Sequence, residues 1–190
     1  MENNGIRKKE NQRIALTRRL LLEALLQILE RKHINDVSVT ELCKCAGINR
    51  ATFYKHYATP NDVLAEHMDS HIRALLDLQH PRHGKSAMQV LEESCQYIYD
   101  QAELFKIYVR NHLDEDFTRG VFIRMIRETN CEHLSNANTL DEDETKLSIS
   151  YVASGYYYLI QRWIMEDIPK SPKEIAVLLL RLSPPGMICE

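Results

Sequence analysis

Apolar residues return at helical spacing along most of this 190-residue chain. Ile14, Leu21, Leu25 and Ile28 form one stripe of an α-helix, and Leu20, Leu22, Leu26 and Leu29 widen it. The pattern predicts a first helix over 12–32, after a polar arm over 1–11 that reads as mobile. Ser38-Val39-Thr40-Glu41 has the form of a capping box opening a short helix over 39–45. Gly47 is placed to stop that helix in a left-handed conformation. Asn49 is a good cap for the next one, over about 50–56. Two short helices around a turn containing glycine make a helix-turn-helix. Thr59-Pro60-Asn61-Asp62 opens a fourth helix, reaching about residue 78, with proline at its first position and an acid at the positive end of the dipole.

The remainder also reads as helical. The stretch 80–84 is a breaker. Ala87, Val90, Leu91, Ser94, Ile98 and Gln101 line one face, and 104–112 and 118–134 follow as further helices. A polar connection over 135–140 leads to acids at 141–144, which open a long helix. Its stripe is Ile149, Val152, Ala153, Tyr156, Leu159, Ile160, Trp163 and Ile164, and Pro169 ends it. Ser171-Pro172-Lys173-Glu174 is a second capping box, ahead of a last helix over 175–182 that is apolar on every side. No strand pattern or internal repeat is found. The fold predicted is all-α, with about nine helices in two parts. Residues 1–58 form an arm and a helix-turn-helix domain, and residues 59–190 form a larger helical domain.

Charge sharpens this division. The net charge is −3, which alone argues against a nucleic-acid partner. Residues 1–60, however, hold 11 Lys and Arg against 6 Asp and Glu, and residues 61–190 hold 13 against 21. A basic segment joined to an acidic one fits a module that touches phosphates attached to one that does not. The longest apolar run, 175–180, is far too short to span a membrane, and the polar N-terminus has no secretory h-region. Five scattered cysteines, Cys43, Cys45, Cys95, Cys131 and Cys189, suit a reducing cytoplasm better than a disulfide framework. His67 and His71 stand at a spacing that can bind a metal, with His80 and His83 beyond, but solvated histidines are more common and no metal or cofactor is expected. The common catalytic motifs of hydrolases, nucleotide-binding enzymes and zinc proteases are missing, so no enzyme activity is expected.

The stretch 48–57, Ile-Asn-Arg-Ala-Thr-Phe-Tyr-Lys-His-Tyr, mixes aromatic and basic groups as neither a core helix nor a plain solvated helix would. A helix that enters the major groove needs both, because one face packs inward while the other meets bases and phosphates. Phe53 is the natural inward residue. Arg50, Ala51, Thr52, Tyr54, Lys55 and His56 are left to face outward, Ala51 small enough to approach bases and the others able to meet phosphates. A helix with a charged solvent face is the alternative.

The run over 37–57 resembles the DNA-binding signature of the TetR family of bacterial transcriptional regulators. Ser38, Ala46-Gly47-Ile48 and Tyr54-Lys55-His56-Tyr57 stand in its register, and the flanking helices match in length and order. The specific part covers about residues 12–68. The resemblance implies an α-helical homodimer whose N-terminal helices bind double-stranded operator DNA and whose C-terminal domain dimerises and binds a small-molecule effector. By position, Ser38, Thr40, Lys44, Arg50, Thr52, Tyr54, Lys55 and His56 are the expected DNA contacts. Asn61 stands where many members carry a phosphate-binding lysine. The basic arm Arg7-Lys8-Lys9, reaching the minor groove or backbone, and Arg13 offer compensation. A repressor on a palindromic operator is the function expected. A co-regulator acting mainly through a protein partner is the alternative.

An all-apolar last helix must be buried on more than one side, which points to a two-fold interface with the long helix before it. Tyr151, Gly155, Tyr158, Ile175, Leu178, Leu179 and Leu182 are expected there, with Gly155 permitting close approach. Tyr97, Phe105, Tyr108, Phe122, Tyr156 and Trp163 are candidates for an effector pocket, since aromatics with polar tips suit an apolar ligand. Packing in the core is the plainer reading of most of them.

Overall fold

A computed structural model describes residues 2–78, 84–112 and 141–183, with side chains described from Glu10 onward. Among these residues the chain is all-helical. The helices are α1 (Glu2–Leu29), α2 (Val39–Ala46), α3 (Arg50–Phe53), α4 (Pro60–Leu78), α5 (Ala87–Asp100), α6 (Ala102–Arg110), α7 (Glu142–Met165) and α8 (Pro172–Leu182), with one 3-10 turn, Ile34–Asp36. The helix expected over 118–134, Phe122 on it, the connection 135–140 and the histidines His80 and His83 lie outside the described residues. The chain divides into two compact units, Met1–Ser70 and His71–Glu190.

In the first unit, α1 begins ten residues before the sequence pattern places it, so the backbone read as a mobile arm is helical. Arg7, Lys8, Lys9, Glu10, Gln12 and Arg13 are good helix formers, and propensity carries the helix where apolar periodicity fades. Leu21, Ala24, Leu25 and Leu29 form its buried stripe. Helix α2 packs on α1 and on α3. Only half of the expected capping box at its start forms. Ser38 Oγ accepts from the Glu41 N–H at 3.1 Å, but the Glu41 carboxylate pairs with Lys32 at 2.8 Å. The end is as expected: Gly47 has φ +65°, and the Ile48 N–H closes onto the Cys43 carbonyl at 3.0 Å. At the head of α4, Asp62 accepts from the backbone N–H groups of Ala58 and Thr59 at 2.9 and 2.7 Å, which holds its carboxyl below the usual range. An ion pair between Arg18 and Glu66 joins α1 to α4.

In the second unit, the predicted stripe of α7 forms the core with Leu91, Cys95 and Ile98 of α5 and Ile175, Ala176 and Leu179 of α8. Leu159 is partly buried at its margin, while Tyr157, absent from the predicted stripe, is buried. Gln101 does not continue the face of α5; it is exposed and forms the junction with α6. Helices α5 and α8 pack against each other, as do α6 and α7. The second capping box is complete. Ser171 Oγ accepts from the Glu174 N–H at 3.3 Å, and Glu174 accepts from the Ser171 N–H at 2.9 Å and from Lys170 at 2.7 Å. Trp163 donates its indole N–H to the Lys170 carbonyl at 3.0 Å, tying the loop before α8 to the core.

Two outcomes follow for stability. Gly47→Ala places a Cβ in a left-handed backbone with open space around it, so the cost is conformational, about 1 kcal/mol in urea denaturation. An unchanged midpoint would contradict the cap geometry. The Lys170 partner and the Ser171 cap lower the Glu174 pKa from its ordinary 4.5 to about 2. A depressed folded pKa gives stability that is present above about 4.5 and lost as pH falls toward 2. Glu174→Gln keeps a capping-box residue but cannot titrate. Its thermal midpoint should therefore depend less on pH across that window than the parent's, and equal pH slopes would refute the assignment.

Candidate DNA interface and ligand-binding unit

Helix α3 has one regular turn. Asn49 caps it, its side-chain oxygen accepting from the Thr52 N–H at 2.7 Å. The regular helix ends at Phe53, short of the seven residues expected, and 54–56 continue as turns in which the His56 and Tyr57 N–H groups both reach the Phe53 carbonyl. Phe53 is fully buried and packs against Tyr57, with ring centroids 5.9 Å apart. Burial, and then the neighbouring Glu66 carboxylate, push the Tyr57 phenol up. With Phe53 and Tyr57 inward, the opposite side turns out. Arg50 and Tyr54 stand one turn apart there. The guanidinium carbon lies 5.8 Å from the ring centroid, and Arg50 Nη2 is 3.5 Å from the phenol oxygen. A cation over an aromatic face restrains both side chains. Lys55 is exposed beside them, and Thr40 and Lys44 are exposed one turn apart on α2. Ser38 is exposed, but its hydroxyl is engaged in the cap. Thr52 and His56 are half-buried rather than fully outward, His56 lying against Tyr57.

The second unit offers two features to a small molecule. One is a cavity of about 360 Å³ beside the α7–α8 loop, lined among others by Tyr99, Trp163, Ile168, Pro169 and Lys170. Tyr99 stacks on Trp163 at 5.5 Å and 19°. The other is a cluster in which His71 Nδ1 meets the Tyr97 hydroxyl at 2.6 Å and Tyr108 lies edge-on to the imidazole. Burial lowers the His71 pKa and raises that of Tyr97. No group of three potential metal ligands occurs among the described residues.

The profile described as "Transcriptional regulator C-terminal region", of the TetR type, matches residues 85–184, over half of the chain. The chain belongs to the TetR family of transcriptional regulators. Two solved structures share its fold. A TetR transcriptional regulator from Streptococcus agalactiae 2603V has 13% identity and a TM-score of 0.68, over 93% of this chain and 98% of that one. The dihydroxyacetone kinase operon activator DhaS has 15% identity and a TM-score of 0.63, over 87% of this chain and 93% of that one. No curated protein matches in sequence. The fold is that of a DNA-binding transcriptional regulator.

On this TetR-family frame the expected pocket residues do not gather as one lining. Tyr97 and Tyr108 belong to the His71 cluster. Tyr156 is buried in the core with its hydroxyl on Ser183, and Phe105 packs at the core margin. Of the five that are described, Trp163 lines the cavity above, and its neighbour there is Tyr99, which helical spacing does not pair with residue 163. The expected interface residues divide as well. Tyr151 (78% exposed), Leu182 (63%), Tyr158, Gly155 and Leu178 face outward, and Leu147 joins them. Ile175 and Leu179 instead are buried in the core of the second unit, because α8 turns this stripe toward α5 and α7.

Tyr54→Ala removes an exposed side chain (52%) and should leave the thermal midpoint near the parent's while weakening specific DNA binding about tenfold. Phe53→Ala should instead cost about 3–5 kcal/mol of stability. If both variants behaved alike in denaturation and in gel-shift titration, the two faces of α3 would be wrongly assigned.

Proposed function

We propose that this TetR-family chain is a repressor that binds a palindromic operator as a homodimer, with its DNA affinity set by a small molecule held in residues 71–190. The observation that carries the reading is the two-sided α3. Phe53 is wholly inward, and the Arg50–Tyr54 pair stands outward beside Lys55, with Thr40 and Lys44 exposed on α2. Thr40, Lys44, Arg50, Tyr54 and Lys55 are the side chains we assign to base edges and phosphates. Ser38 is assigned a capping role first, and Thr52 and His56 serve at the margin. The domain that carries these contacts is assigned to 1–58 and the effector and dimerisation domain to 59–190.

The outward apolar residues of α7 and α8 support the dimer. Leu147, Tyr151, Tyr158, Val177, Leu178 and Leu182 leave an apolar face exposed on one subunit. Around Gly155 a Cβ would meet nothing within 4 Å, so space remains for a helix of a second copy. A two-fold dimer presents two α3 helices to half-sites about 34–36 Å apart. No described helix is long and apolar enough to cross a membrane.

Selection from a random duplex pool with purified protein should enrich a palindrome. Affinity for the winner should fall steeply with salt, because each neutralised phosphate contributes about 0.9 to the log–log slope. Lys55→Ala should lower that slope by about 1. Failure to enrich any sequence would remove the operator-binding reading and favour a co-regulator. For the interface, the double change Tyr151→Arg and Leu182→Arg should give monomers in sedimentation with helical content retained. A persistent dimer would place the interface elsewhere.

A further inference from the structure

Arg18, Arg19 and Arg162 each lie against a carboxylate, that of Glu66, Glu23 and Glu166 in turn. Among the described residues no carboxylate pairs with Arg50. Its guanidinium lies instead over Tyr54, the carbon 5.8 Å from the ring centroid and Nη2 3.5 Å from the phenol oxygen. Tyr54 is itself set edge-on to the fully buried Phe53, with ring centroids 5.5 Å apart at 81°. A buried ring thus orients an exposed ring, and the exposed ring orients a cation that no acid neutralises.

Arg50 is the first residue of α3, and the leading residues of a groove-entering helix are those that reach base edges. Its neighbours are less suited to that contact. The Asn49 side chain is engaged in the cap, Ala51 has no polar group, and Thr52 is half-buried. Lys55 follows the last regular residue of α3, a place better matched to the phosphate backbone. A guanidinium carries only N–H donors, set in a fixed fork. It therefore matches a base edge that offers two adjacent acceptors. In the major groove guanine presents N7 and O6. Adenine sets an amino donor beside its N7, cytosine presents an amino donor, and thymine has one carbonyl beside a methyl group. With one N–H turned to the Tyr54 hydroxyl, the remaining donors still suffice for a two-bond contact.

We propose that Arg50 reads a guanine in each half-site of the operator, donating to its N7 and O6, and that Tyr54 is the positioning residue that holds the guanidinium for this contact. This rests on the reading of α3 as the recognition helix, and it names a base within the site. In a two-fold dimer the guanine recurs on opposite strands, so the palindrome carries a G·C pair at two symmetric positions.

The test uses the palindrome that the full-length protein selects from a random duplex pool. Replacing a guanine by 7-deazaguanine keeps its base pairing and removes the N7 acceptor. Made at one symmetric pair of guanines, this change should weaken parent binding at least about tenfold in gel-shift titration. Arg50→Ala, titrated at low salt and with its helical content checked, should lose less than about twofold on the same change, and its own selection should lose the preference for that G·C pair. Tyr54→Phe keeps the ring and should keep the tenfold loss, while Tyr54→Ala should shrink it toward twofold. A tyrosine that only supports the fold, or that meets a phosphate, would weaken both duplexes alike and leave the 7-deazaguanine effect unchanged, which would remove the positioning role. A parent indifferent to 7-deazaguanine at every guanine would overturn the guanine contact without recourse to any variant. An Arg50 that meets a phosphate would also overturn it: Arg50→Ala would then weaken all sequences uniformly, lower the salt slope by about 1 and keep every base preference. Either result leaves operator binding by α3 standing. Failure to enrich a palindrome would remove the operator reading itself, and the guanine contact with it.

Discussion

A four-residue helix cannot hold itself. Forming the first turn fixes several dihedral angles for one hydrogen bond, and α3 has almost no length over which to recover that cost. Its position depends on burial of Phe53, which is fully enclosed, with Tyr57 behind it. The Asn49 cap and the left-handed Gly47 set the direction from which the chain enters. Because Phe53 fixes the rotation of the turn, Arg50 and Tyr54 are fixed outward, one over the other. The outer surface thus inherits its order from an inner contact, and side chains already restrained lose less entropy on binding any partner.

The second unit solves a different problem. Three helices, α5, α7 and α8, share one core, and each capping device keeps an end in register. The indole N–H of Trp163 on the Lys170 carbonyl, and Lys106 on Asp167 at 2.7 Å, pin the loop between α7 and α8. Among the described residues Ser94 and Asn111 are the buried polar ones, and His71, Tyr97 and Tyr108 meet from α4, α5 and α6. On the outside, α7 and α8 leave aromatic and aliphatic groups in the open.

Much of the fold was legible along the chain. Stripes at 3.6-residue period located α1, α5 and α7, and Ser, Asn, Pro and Gly marked starts and stops at Ser38, Gly47, Asn49, Pro60, Ser171 and Pro172. These signals are local, made by a side chain and a backbone group a few positions away. Local rules also failed locally. Glu41 left its cap because Lys32 stood nearby, and α1 ran on to Glu2 where apolar spacing had faded but helix propensity had not.

Inward Phe53 and the outward basic and aromatic face were readable for the same reason: one helical period separates them. The partners of the aromatics were not. Tyr97 with His71, Tyr99 with Trp163 and Tyr156 with Ser183 join positions 26 to 64 residues apart, and no periodicity carries that information. Helix α8 makes the same point. Apolar on every side, it gave no hint which residues face inward. Packing against α5 and α7 chose Ile175 and Leu179 for the core and left Leu178 and Leu182 outside, because rotation about a helix axis is set by the surfaces it meets and not by its own composition.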